Sequence, residues 1–374
     1  MPAALVFIAL LALLATMALA AFTGVSTAAR AHLAFATGIM PLILAAISYF
    51  VPVLTRSRDA PRAVRTVPWI ALVSGGLAFA WFLRPGEIAH GLAWAAAIAG
   101  GTALGLALWI GRRGRAAIGS PHPCLHWYLA AVLCLALALA AVLAMPLWPE
   151  HSVALKRIHL HLNTGGFIGL TALGTLQVLM PTVAGRTDPG AAARLRGDLP
   201  FALAAVLAIA AGAAGAVGFA WLAVAGALLW TIPVWRTAKA WAGNHGAQIL
   251  CWHGAAPALA AALGGFALSI IHGIAHAIDP AGAQQAVIVY VSLFLLPLVT
   301  GAATQLLPTW LRAGPQGSWH AGFRSTAGRW GGVRAILFLC GGVALSAGLA
   351  QGAALSALAL IMFLVQIARG LAQR

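Results

Sequence analysis

The sequence predicts an all-α membrane protein of about twelve transmembrane helices, grouped as three pseudo-symmetric four-helix repeats. Three observations predict it. Hydrophobic residues make up 62% of the 374 residues and charged residues 7%, against about a quarter charged in a soluble domain. Apolar runs near twenty residues recur from end to end, each enough to cross roughly 30 Å of hydrocarbon. Finally, prolines that close such runs return after 129 and then 127 residues, at Pro52, Pro181 and Pro308.

Breaking the chain at Pro, Gly and charge clusters gives spans near 3–27, 29–54, 67–84, 88–111, 124–147, 158–182, 199–214, 216–235, 248–275, 285–310, 333–350 and 352–370. The first, "MPAALVFIALLALLATMALAAFTG", lacks a basic leader and has a long apolar core, so it reads as a helix that stays rather than a signal peptide. Only the glycines of "AAGAAGAVGFA" separate the seventh from the eighth. The whole chain, 1–374, reads as one transmembrane domain with repeat units of about 1–115, 116–240 and 241–374.

Orientation follows from Lys and Arg. With the N-terminus inside, the inner loops and tail hold 18 of the 22 basic residues, leaving Arg30, Arg84, Lys156 and Arg157 outside. Both termini are then cytoplasmic, in a bacterial inner membrane. The net charge of +16 is thus a topogenic signal with affinity for membrane lipid, and a nucleic-acid partner is excluded. Tryptophans at span ends (Trp69, Trp81, Trp109, Trp127, Trp148, Trp235, Trp310) read as interfacial anchors. The four cysteines lie in or beside apolar runs and suggest no disulfide framework.

Spans two, six and ten carry the repeat. His32 precedes Pro52 by twenty residues and His161 precedes Pro181 by twenty; Pro41 precedes Pro52 by eleven and Pro297 precedes Pro308 by eleven. The preceding helices open with Cys124-x-His126 and Cys251-x-His253, 127 residues apart. Each Cys-x-His reads as a duplication relic, with half of a metal site as the alternative. "TGGF" and "ALGGFAL" read as helix-packing surfaces.

All six acids (Asp59, Glu87, Glu150, Asp188, Asp198, Asp279) fall in expected loops, and no Lys or Arg lies mid-span. This argues against a proton pump with buried acidic relays. Histidine remains. His32, His90, His151, His159, His161, His272 and His276 map to the outer side, where neutral imidazoles suit heme iron or copper. His272 and His276, four apart, share a helix face. His159 and His161 point about 200° apart on a regular helix. The repeat places His161 where it places His32, toward the interior, with His159 turned to the loop or headgroups.

Twelve spans in three units, with the segment "HLAFATGIMPLILAAISYFVPVL" on span two, resemble the catalytic subunit of heme-copper oxidases and nitric oxide reductases. The resemblance implies that His32 is an axial ligand of heme b and that His161 is placed like a copper ligand of the sixth helix. The family's histidine pairs on helices seven and ten have no counterpart; Tyr290 is the nearest polar residue in span ten, and only His272 and His276 could substitute. An oxygen-reducing heme–copper centre is therefore not expected. The NnrS family, whose twelve-span members bind heme and copper without being known oxidases, is similar in spirit. The expected function is heme or copper binding in redox, nitric-oxide or metal handling, with a respiratory complex subunit or a periplasmic electron donor as partner. The alternative is a cofactor-free transporter or an assembly partner of a respiratory complex.

Overall fold

A computed structural model describes residues 2–19, 24–84, 90–215, 219–278 and 285–373, the side chains of 276–278 excepted. Among the described residues the secondary structure is helical throughout. The helices are α1 (Pro2–Leu19), α2 (Thr27–Leu54), α3 (Arg62–Leu83), α4 (Gly91–Arg115), α5 (Cys124–Ala144), α6 (Pro149–Ala184), α7 (Ala191–Ala214), α8 (Ala220–Ile249), α9 (Ala256–Ile278), α10 (Ala286–Leu311), α11 (Ser318–Ala327), α12 (Gly331–Ser346) and α13 (Gln351–Leu371).

All but the short α11 correspond to the twelve expected spans. Ten of the helices are long and apolar enough to cross a bilayer, so the chain is a multi-pass membrane protein with lipid as its solvent. The other two long helices are α8, which carries Arg236 and Lys239, and α12, which has 16 residues.

In lipid, apolar residues face both ways, so size rather than polarity decides which face is buried. Helix α4 buries Ala95, Ala96, Ala99, Ala103 and Ala107, while Trp94, Leu104 and Leu108 point outward. The alanines let neighbouring backbones approach, and Leu106 and Ile110 fill the same buried face.

Contacts divide the chain into two compact units. One comprises Met1–Ala34, Val178–Asp188 and Thr237–Arg374; within it α9, α10, α12 and α13 pack together, with α1 against α10 and α13. The other comprises Phe35–Gln177 and Pro189–Arg236; within it α3, α4, α5 and α6 pack in succession, and α7 lies on α5 and α6.

Three helices are not regular. Helix α2 is π-helical over His32–Ile39, α6 over Leu162–Gly169 and α10 over Val291–Leu295. These are the spans singled out by their closing prolines, and Pro52, Pro181 and Pro308 lie inside them near their ends. Each π segment begins at or just after an aromatic polar residue: His32, His161 and Tyr290, spaced 129 and 129 residues apart. The wide turn displaces backbone carbonyls, and glycines cover two of them. A Cβ at Gly75 of α3 would lie 2.1 Å from Ala36 O, and one at Gly265 of α9 would lie 1.7 Å from Leu293 O.

The ends of two helices differ from expectation. Helix α7 begins at Ala191 rather than near 199, with Pro200 inside it. Helix α8 runs to Ile249 rather than 235, with Pro233 inside it. Proline is tolerated in membrane helices when neighbours satisfy the freed carbonyl, so it is a weaker stop signal there than in water.

Candidate functional site

Helix α2 starts at a Ser26 N-cap, whose side chain accepts from Ala29 N. His32 follows at the first residue of the π segment. Its Nδ1 lies 2.8 Å from Ala28 O. A carbonyl oxygen only accepts, so Nδ1 carries the proton and the lone pair sits on Nε2. Proteins orient ligating imidazoles in this way, with one ring nitrogen donating to a backbone carbonyl and the other presented to the metal. His32 therefore fits an axial ligand of heme iron.

Within its unit, the first turn of α2 touches the first turn of α10, which packs on α9. His272 is half-buried on α9, and the side chain of His276 lies outside the described residues. The structure thus places His32 and the helix bearing His272 against a common neighbour. His161 is half-buried at the end of the turns before the second π segment and belongs to the other unit. Among the described residues no three His, Cys, Asp or Glu side chains gather as a multi-ligand copper centre would need; an axial heme site needs one or two.

His159 departs from expectation. It does not turn to the loop: its Nδ1 donates to Ala138 O of α5 at 3.0 Å, and Asn163 Nδ2, which donates to His159 O, sits 3.3 Å from the same ring nitrogen. The expectation rested on where a regular helix would turn the two rings; the neighbouring α5 offers His159 a carbonyl instead. Tyr290, the third residue of the series, stacks edge-on against Phe294 at 5.2 Å.

The arginine-rich ends of the helices hold polar groups that the sequence reading missed. Asp198 is not in a loop. It lies within α7, is fully buried, and its Oδ1 meets Arg236 Nη1 of α8 at 2.6 Å. Neither carboxylate oxygen has a hydrogen-bond partner by geometry, so the contact is an ion pair held by charge. Sixteen residues separate Asp198 from Ala214, about 24 Å of helix, which is less than the hydrocarbon thickness of roughly 30 Å. Beside it, Arg194 Nε donates to Oε1 of the fully buried Gln177 at 3.1 Å. Trp127 is not an interfacial anchor but a buried ring whose Nε1 donates to Leu195 O at 2.9 Å. The i, i+4 pair Arg194 and Asp198 in "RLRGDLP" was the available helix signal, overridden by Pro200.

The two Cys-x-His motifs sit in different surroundings. Cys124 is buried against Gly174 and Tyr128 while His126 is exposed. Cys251 is exposed, and His253 accepts a hydrogen bond from Trp330 N at 3.1 Å, joining two loops. In the loop before α5, burial and, less, the Arg196 guanidinium hold His122 below the usual imidazole pKa, and its Nδ1 accepts from Cys124 N at 3.3 Å.

No protein-family model matches the chain, and no curated protein matches it.

Proposed function

We propose that the protein binds heme b through His32 in a bacterial inner membrane and serves redox, nitric-oxide or metal handling rather than oxygen reduction. The observation that carries this reading is the Nδ1–H to Ala28 O bond, which fixes the tautomer with the lone pair on Nε2, at the first residue of a π-helical segment. π-helical turns are rare and gather at functional sites. When bound there, heme would supply one-electron transfer or the binding of a small diatomic molecule. His32 would hold the iron, and His272 or His276 would be its partner from α9. His161 would be a second heme or copper position.

The π segments after His32, His161 and Tyr290, evenly spaced, support three repeat units of about 1–115, 116–240 and 241–374, in an architecture similar to the heme-copper oxidase catalytic subunit. The 18-to-4 distribution of basic residues supports cytoplasmic termini. A respiratory complex subunit or a periplasmic electron donor would be the partner.

The reading is tested by the absorption spectrum of the detergent-purified protein. A Soret band that disappears in His32→Ala is the expected result. A colourless preparation after expression with ample heme, with no iron by metal analysis, would overturn it. That outcome would favour the second reading, a cofactor-free transporter or assembly partner, for which the observation is Asp198–Arg236: ionisable groups buried in a membrane helix mark transport paths.

A further inference from the structure

The C-terminal half of α8, from Thr237 onward, inverts the usual burial pattern. Its exposed face carries Lys239, Ala242, Gly243 and Ala247. Its inward face carries the buried Thr237, Trp241 and His245 and the half-buried Gln248, which a 100° step per residue places within one narrow arc, spread over about 16 Å of helix. Thr237 and His245 are fully buried and Trp241 is 1% exposed. Every residue on this face brings a polar atom. Thr237 Oγ1, Trp241 Nε1 and Gln248 Oε1 are buried without a hydrogen-bond partner in the protein.

Leaving a buried donor or acceptor unmade forfeits the hydration it had in the unfolded chain, and three in a row would consume much of a protein's net stability. Native proteins satisfy such groups, if not with protein atoms then with bound water. The row carries no Asp, Glu, Lys or Arg. It offers an indole donor, a hydroxyl that can do either, and an amide acceptor, the complement of small molecules that both donate and accept. A charged ligand would find no counter-ion on this face.

We propose that this face of α8 holds a chain of bound waters, a hydrated recess along the C-terminal turns of the helix, bridging Thr237, Trp241 and Gln248 past His245. The inference is independent of heme.

Radiolytic hydroxyl-radical footprinting of the purified full-length protein tests it, because water held against a side chain generates radicals beside it. Trp241 is compared with Trp127, which is equally buried but has its Nε1 bonded to Leu195 O. Severalfold faster modification of Trp241 than of Trp127 is expected; a rate equal to or below that of Trp127 would overturn the proposal. The doubly substituted Thr237→Val, Gln248→Leu protein supplies the second arm. Removing two of the water's partners should bring the Trp241 rate down toward that of Trp127. An unchanged fast rate would mean that bulk solvent reaches Trp241 by local opening, and would overturn the proposal as well.

Discussion

Asp198 of α7 and Arg236 of α8 sit 2.6 Å apart, but unequally placed: the carboxylate side chain is 0% exposed and the guanidinium 43%. The inequality predicts an asymmetric response to truncation. Arg236→Ala strands a buried charge, for which about 3 kcal/mol is the low end of measured losses, appropriate to a half-exposed partner. Asp198→Ala leaves an arginine long enough to reach water or headgroups and should cost less. Thermal unfolding in detergent checks the order. A more costly Asp198→Ala would show that the carboxylate, not the pair, matters to the fold.

The glycines over the π segments predict a pattern within adjacent pairs. Gly75→Ala and Gly265→Ala would drive a methyl group into Ala36 O and Leu293 O, so neither variant should accumulate as folded protein. Gly76→Ala and Gly264→Ala meet nothing within 4 Å and should be neutral or stabilising by up to about 1 kcal/mol. Detergent-extracted yield with size-exclusion behaviour reads this. Wild-type behaviour of Gly265→Ala would mean that α9 does not approach the displaced carbonyl.

His159 ties α6 to α5 through Ala138 O. His159→Ala removes that bond and leaves a buried carbonyl with one acceptor unmet, at a cost of about 1–2 kcal/mol. His159→Asn, too short to reach α5 in the same way, should not restore it. An unfolding temperature unmoved by the alanine change would argue against the contact.

How much of this was legible in the sequence follows from which signal each feature leaves. The multi-pass helical character came through because hydrocarbon demands long apolar runs, which ten of the helices supply. Asp198 escapes the sequence because the charges of Arg194, Arg196 and Asp198 and the nearby Pro200 read as the loop before a span that starts near 199, whereas the helix begins at Ala191 and carries all of them. A π-helical turn has no compositional mark, so only the offsets from His32, His161 and Pro181 hinted at special helices. The orientation of His159 depended on a carbonyl of α5, a tertiary partner that no local periodicity encodes.

Burial and the nearby Arg196 hold His122 neutral, with a folded pKa below 6.5. The sign follows from proton counting: below pH 6.5 the unfolded chain binds the proton and the folded one does not, so stability falls as pH drops through 6.5 toward the folded pKa, and is unaffected above it. Unfolding temperature should therefore decline between pH 7 and 5 more steeply in the wild type than in His122→Asn. Parallel declines would assign the acid sensitivity to other groups.

The exposed thiol of Cys251 offers a reading of topology. Cys124 and Cys134 are buried, and Cys340 is exposed in the apolar run of α12, on a face that lipid covers against a water-soluble reagent. Cys251 follows α8 at its arginine-rich end, its Sγ 3.2 Å from Ala247 O. A membrane-impermeant maleimide should label it alone, and Cys251→Ser should abolish labelling while leaving stability unchanged. If the arginine-rich ends face the cytoplasm, intact spheroplasts stay unlabelled and inverted vesicles react. Labelling of intact spheroplasts at Cys251 would reverse the orientation and place His32 on the cytoplasmic side, out of reach of a periplasmic electron donor.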